Sequence, residues 1–208
     1  NKIKNIPPIF HDFESLINTF KSKKTPEETR WILTTSGTTG NPKLVSHSLS
    51  SLTRTTKTDL KRGSNVRWGM LYDYTRFAGL QVLLQSIISG SVLIEPVFNF
   101  SLEKKIKNFI EHKCTHLSAT PTLWRKILMT PNSSKLTLLQ ATLGGEIADD
   151  RILSAVSNHF AKARIAHIFA STESGVGFSV VDKKAGFPKD YLENPPFGVD
   201  IKIKNDKL

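Results

Sequence analysis

Apolar residues in this chain come in short runs, punctuated by glycine, proline and small polar clusters, and the runs alternate between strand-like and helix-like lengths. Trp31-Ile32-Leu33 is a short apolar strand. Residues 46–60 predict a helix, with Leu49, Leu52 and Leu60 on one side and Ser46 or Ser48 as N-cap. Residues 66–71 read as a strand. Residues 77–88 read as a buried helix that ends near Gly90. The pattern then repeats: a strand at 91–95 closed by Pro96, and a helix at 102–110 with Ile106, Phe109 and Ile110 inward. A strand at 115–119 follows, and Thr120-Pro121 opens the next helix. Residues 136–143 contain a strand, Gly144-Gly145 is a sharp turn, 149–160 is a helix and 164–169 a strand. Beyond Gly175, residues 177–181 and 199–203 read as short strands with no helix between them. This order predicts an α/β fold: three layers, α/β/α, around a mainly parallel sheet, with a few short strands near the C-terminal end.

Before residue 30, Phe13, Leu16, Ile17 and Phe20 recur at helical spacing, and 21–28 reads as a linker broken by Pro26. No apolar run reaches the roughly 18 residues that span a bilayer. The longest, 80–88, is interrupted by Gln81, Gln85 and Ser86, and no signal pattern opens the chain, so the cytoplasm is the default location. One cysteine, Cys114, allows no intrachain disulfide and reads as a small buried hydrophobe. The formal charge of +11 over 208 residues attracts anions such as nucleotides and polyphosphates. The lysines are scattered, with no interleaved aromatic stripe, so no specific nucleic-acid partner is expected.

Chemistry concentrates after the first strand. In Thr34-Thr35-Ser36-Gly37-Thr38-Thr39-Gly40-Asn41-Pro42-Lys43, the glycines let backbone N–H groups approach a phosphate closely. Thr35, Ser36, Thr38 and Thr39 add hydroxyls, and Lys43 adds a mobile cation for a β- or γ-phosphate. A helix beginning near Ser46 would add its positive end. The spacing Gly-x-x-Gly-x-x-Lys differs from the common P-loop.

The ordered string resembles the signature loop of the adenylate-forming ANL superfamily, which takes in acyl-CoA synthetases, nonribosomal peptide synthetase adenylation domains and luciferases. Thr35 to Lys43 matches Ser/Thr-Ser-Gly-Thr-Thr-Gly-x-Pro-Lys at every specified position. Thr120-Pro121, Gly144-Gly145-Glu146, Phe169-Ala170-Ser171-Thr172-Glu173 and Pro196-Phe197-Gly198-Val199 resemble further landmarks of that family, in the right order. The resemblance implies an AMP-forming carboxylate–thiol ligase. Such an enzyme activates a carboxylic acid with ATP as an acyl-adenylate, then passes the acyl group to coenzyme A or a carrier-bound pantetheine. Carried over residue by residue, Lys43, Thr172 and Glu173 are catalytic, and Glu173 holds Mg²⁺. Thr35, Ser36, Gly37, Thr38, Thr39, Gly40 and Lys43, with Gly145, Glu146, Phe169, Ala170, Ser171 and Thr172, hold ATP or AMP. Tyr72, Asp73, Arg76 and Gly144 face the carboxylic acid, and a carrier protein is a possible partner.

The chain departs from the family in two places. Phe169-Ala170 replaces a tyrosine-glycine pair, and Arg76 stands where many acyl-CoA synthetases have histidine. Tyr72-Asp73-Tyr74-Thr75 echoes the Phe-Asp-x-Ser of amino-acid-activating domains, which gives an amino acid as the alternative substrate. The expected organisation is an approach helix and linker at 1–29, a nucleotide-binding core at 30–176 and the start of a truncated β-rich subdomain at 177–208. The family's Thr-Gly-Asp motif and C-terminal lysine domain would lie beyond Leu208. The 208 residues alone are therefore expected to be inactive, and a non-catalytic nucleotide-binding or scaffold module is the other alternative.

Overall fold

The computed structural model describes residues 9–10, 29–35, 43–97, 99–196 and 198–202. Two sheets organise them. The larger has six strands in the order β5-β4-β6-β7-β8-β9. These are β4 (Arg67–Gly69), β5 (Val92–Ile94), β6 (His116–Ala119), β7 (Gln140–Leu143), β8 (Arg164–Ser171) and β9 (Gly175–Val180). All neighbours pair in parallel except β9, which runs antiparallel to β8. The smaller sheet is antiparallel, in the order β1-β3-β2, from Ile9–Phe10, Lys43–Ser48 and Arg30–Thr35 respectively.

The helices are α1 (Leu49–Thr53), α2 (Leu60–Gly63), α3 (Phe77–Ile88), α4 (Leu102–Glu111), α5 (Pro121–Met129) and α6 (Asp150–His159). Successive strand residues point to opposite faces of a sheet, and the large sheet is covered on both. Val82 of α3 packs with Trp68 and Met70 on one face. On the other, Ile106 and Phe109 of α4, Trp124 and Ile127 of α5, and Ile152, Leu153 and Val156 of α6 close over Leu117, Ala119, Ala141, Leu143 and Ile165. Each large apolar side chain buried here contributes about 1.5–3 kcal/mol, so this face holds most of the core. The fold is the expected mainly parallel sheet flanked by helices.

Local chemistry sets where these helices start. Ser101 Oγ accepts from Lys104 N (3.3 Å), Thr120 Oγ1 from Leu123 N (3.2 Å) and Asp149 Oδ1 from Ile152 N (2.8 Å). Such caps satisfy otherwise orphan N–H groups at helix starts. Gly69 marks a close approach of α4, because a Cβ there would lie 2.7 Å from Leu117 Cδ1 and 3.1 Å from Phe109 Cε1.

Two expectations are corrected. Residues 46–60 are not one helix. Lys43–Ser48 pairs residue for residue with Arg30–Thr35, from Thr35↔Lys43 to Arg30↔Ser48, and helix begins only at Leu49. The paired partner satisfies the backbone groups that a helix would have satisfied internally. Ser48, one of the two expected caps, does accept from Ser51 N. Residues 199–202 form no strand. The helix expected from Phe13, Leu16, Ile17 and Phe20 lies outside the described residues.

Candidate nucleotide site at the carboxyl ends of the strands

The chain leaves β4 for β5 on one side, then crosses to β6 on the other side of β4. This reversal opens a crevice at the carboxyl ends of β4 and β6, the position where open α/β sheets bind ligands. Four of the expected segments emerge there. Tyr72 to Arg76 follow β4, Thr120 follows β6, Gly144 to Glu146 follow β7, and Thr172 and Glu173 follow β8. They therefore stand side by side along four adjacent strands.

Tyr72 reaches across the crevice to the Ser118 side chain. Burial pushes its phenol up to about 12, against the Ser118 hydrogen bond and with the Glu146 charge adding, so Tyr72 stays a neutral O–H. Asp73 Oδ1 accepts from the Thr75 hydroxyl (2.7 Å) and the Thr75 N–H (2.8 Å). Those two bonds, with Arg76 nearby, hold its exposed carboxyl below the usual range. Gly145 adopts φ +80°, the left-handed region that favours glycine. Glu146 does not point freely into the crevice: its Oε2 accepts from Thr122 N at 2.9 Å, in the first turn of α5. The Thr122 hydroxyl foremost, then its N–H, Thr120 and Arg125, hold this carboxyl below its ordinary range, against the small opposing effect of burial.

Thr172 and Glu173 form the tip of the β8–β9 hairpin. Ser171 Oγ accepts from Ser174 N (3.0 Å), and Gly175 closes the turn at φ +77°. The strand pair carries a bulge at Phe169/Ala170, where Gly177 approaches the Phe169 carbonyl so closely that a Cβ would sit 3.0 Å from it. The Phe169 ring stacks on Phe178 (4.6 Å, 19°) and meets Phe187 edge-on (5.7 Å). One face of that ring is thus already covered by the protein.

The small sheet docks against this hairpin. Cross-strand pairing puts Thr35 beside Lys43, Leu33 beside Val45 and Trp31 beside His47, all on one face. On that face Leu33 packs with Leu52, Phe77, Leu80 and Leu84, and Trp31 and Val176 border the cluster. His47 Nε2 lies 2.7 Å from the Thr172 carbonyl oxygen. Burial pushes the His47 imidazole below its ordinary range, against that bond. Arg54 donates to the Val176 and Gly198 carbonyls. Arg76 Nη1 donates to Thr34 Oγ1 at 3.2 Å. Arg76 is therefore engaged with the strand that runs into the Ser/Thr/Gly string. Ser36, Gly37, Thr38, Thr39 and Gly40 lie outside the described residues; the strands on either side of them bring Thr35 and Lys43 together as a pair. The positive helix end expected behind Lys43 is replaced by β3, so the string joins two antiparallel strands.

His47 and Arg54 lie outside the set of residues expected from the sequence. Both act through backbone carbonyls more than 120 residues away, and no local pattern announces such partners. Thr120 and Pro121 did carry a signal, as cap and first-turn proline.

Residues 6–208 match the model of the AMP-binding enzyme family. The chain belongs to that family. Among curated proteins, this AMP-binding chain is 31% identical over 186 residues to the coprinoferrin synthetase of Coprinopsis cinerea, with 82% of the chain and 8% of that protein covered. Among solved structures it is similar to the luciferase-like enzyme of the nonluminescent mealworm Zophobas morio. That match has a TM-score of 0.60 and 19% identity, and covers 83% of the chain and 40% of the other. It is also similar to the N-terminal subdomain of Klebsiella oxytoca NpsA in complex with 3-hydroxyanthranilyl-AMSN, with a TM-score of 0.63, 18% identity and 82% and 46% coverage. These two likenesses concern the fold of the AMP-binding chain. It spans under half the length of each of the three.

Proposed function

We propose that this chain is the nucleotide-binding part of an enzyme that activates a carboxylic acid with ATP as an acyl-adenylate, for transfer to a thiol of coenzyme A or a carrier. The observation that carries the reading is the side-by-side placement of Tyr72–Arg76, Thr120, Gly144–Glu146 and Thr172–Glu173 at one end of the sheet, with the strand that starts at Lys43 bonded to Thr172 through His47. In this reading the substrate carboxylate attacks the α-phosphorus of ATP. An O–P bond forms, the α–β bridge bond breaks, and pyrophosphate leaves. Charge gathers on phosphoryl oxygens, so the protein's work is placement and cationic stabilisation. Lys43 faces the charge of the departing phosphates, and Thr172 offers its hydroxyl to the α-phosphate.

Among the described residues no group of histidine, cysteine, aspartate and glutamate could hold a metal ion unaided. Mg²⁺ is held by one or two carboxylates together with substrate phosphates. Glu173, half-buried at the hairpin tip, is the carboxylate for it. When bound, Mg²⁺ would neutralise phosphate charge.

A second reading, in which the acid is an amino acid, is favoured by Asp73. Its carboxylate is ionised, exposed and beside the crevice, so it suits an α-ammonium group. One pair of measurements tests both. Lys43→Ala and Glu173→Ala are each expected to weaken Mg·ATP binding tenfold or more, about 1.4 kcal/mol, in titration calorimetry. Pyrophosphate exchange by the whole protein, challenged with simple carboxylic acids and with amino acids, then identifies the substrate class. ATP binding with no exchange for any acid would favour a non-catalytic module, and no affinity for ATP would sink the nucleotide reading itself.

A further inference from the structure

His47 is a polar side chain only 1% exposed, and the reading above gives it no task. Three neighbours fix its ring. Nδ1 lies 3.2 Å from Ser51 Oγ, the Phe77 ring is 5.7 Å away centroid to centroid, and Nε2 lies 2.7 Å from the Thr172 carbonyl oxygen. A carbonyl oxygen only accepts, so Nε2 carries the hydrogen. That carbonyl belongs to the peptide unit joining Thr172 to Glu173. The unit is planar, so holding its oxygen also sets the direction in which the chain runs into Glu173. His47 itself sits on β3, four residues past Lys43 and on the same face. A single hydrogen bond thus ties the strand of the phosphate-directed lysine to the turn of the α-phosphate and metal residues. Arg54, just past the end of α1, makes a separate tie to the same hairpin, donating to the Val176 carbonyl on β9.

We propose, resting on the nucleotide reading above, that His47 is a positioning residue: its Nε2–H orients the Thr172–Glu173 peptide unit relative to β3 so that Lys43, Thr172 and Glu173 meet one nucleotide. The test uses the whole chain and measures ATP affinity with and without Mg²⁺, alongside thermal midpoints. His47→Phe keeps the ring volume and loses the donor. His47→Gln places an amide N–H near the position of Nε2. The phenylalanine variant is expected to bind Mg·ATP about tenfold more weakly, the size of one lost hydrogen bond, and to lose much of the affinity that Mg²⁺ adds to ATP. The glutamine variant is expected to recover most of both. Loss of packing alone would not diminish the Mg²⁺ increment selectively. Equal Mg²⁺ increments in all three proteins overturn the proposal. If the phenylalanine variant does not fold, the imidazole ¹⁵N signals of the wild-type chain decide: an Nε2–H resonance that shifts on saturation with Mg·ATP supports the role, and an unmoved one overturns it. A wild-type chain without ATP affinity overturns the nucleotide reading first, and the positioning role with it.

Discussion

Glu146 illustrates how a residue's position and its task can differ. Its place in Gly144-Gly145-Glu146 was legible from the sequence, but its carboxylate is spent on the first turn of α5. Removing it leaves Thr122 N without its acceptor. Glu146→Ala is expected to lower stability by about 0.5 kcal/mol, the low end for a helix cap because the group is exposed. The sign of its pH dependence follows from linkage. The folded chain holds this carboxyl below its ordinary range, so the unfolded chain binds the proton more readily. The stabilisation is complete above the unfolded value and is lost as pH falls through the folded one. The gap in thermal midpoint between wild type and Glu146→Ala should therefore be widest near neutral pH and close in acid. A gap that persists unchanged in acid would argue against the capping role. Single residues could thus be singled out from the sequence, but their partners could not. Tyr72 and Ser118 meet across the crevice only because β4 and β6 are neighbours in the sheet.

Elements were more legible where they are self-sufficient. The apolar run 77–88 became α3 with the expected bounds, since its length and the glycine after it needed no outside partner. The start of the helix expected over 46–60 is strand instead, because apolar residues such as Leu44-Val45 between polar neighbours suit helix or strand equally, and the arbiter is a partner strand that ends at Thr35. Gly79 shows how tightly one element can constrain another. A Cβ there would lie 2.2 Å from the Asp73 carbonyl oxygen and 2.8 Å from Tyr74 Cα, both backbone atoms that cannot rotate away. Gly79→Ala is expected to cost about 1–3 kcal/mol by overpacking, read as a lower denaturant midpoint. It should also displace the 72–76 segment, read as altered discrimination among acids. The path of that segment is therefore fixed by the helix beneath it, and under the proposed reading substrate preference would be tuned through its side chains.

For the whole molecule, the net charge of +11 acts on encounter rather than on fold. ATP should associate more slowly as salt shortens the Debye length from ~10 Å at 0.1 M to ~3 Å at 1 M, while its dissociation rate changes little; stopped-flow with a fluorescent ATP analogue reads both. Duplex DNA should be held only weakly, lost at high salt, and equally so by Lys43→Ala. DNA binding that survives high salt would contradict this account. The sheet order that creates the crevice was only partly legible, because alternation of strand and helix predicts parallel neighbours but not which side of β4 the chain returns to. The bond between His47 and Thr172 has a further consequence, in time rather than in space. Its ends are 125 residues apart, and closing so long a stretch costs entropy that only late, cooperative contacts repay. The helices and parallel strands between them can assemble first, so the core is expected to gain hydrogen-exchange protection before the proposed nucleotide site does. Competence to bind is then among the last properties a folding molecule gains and among the first a locally loosened one gives up.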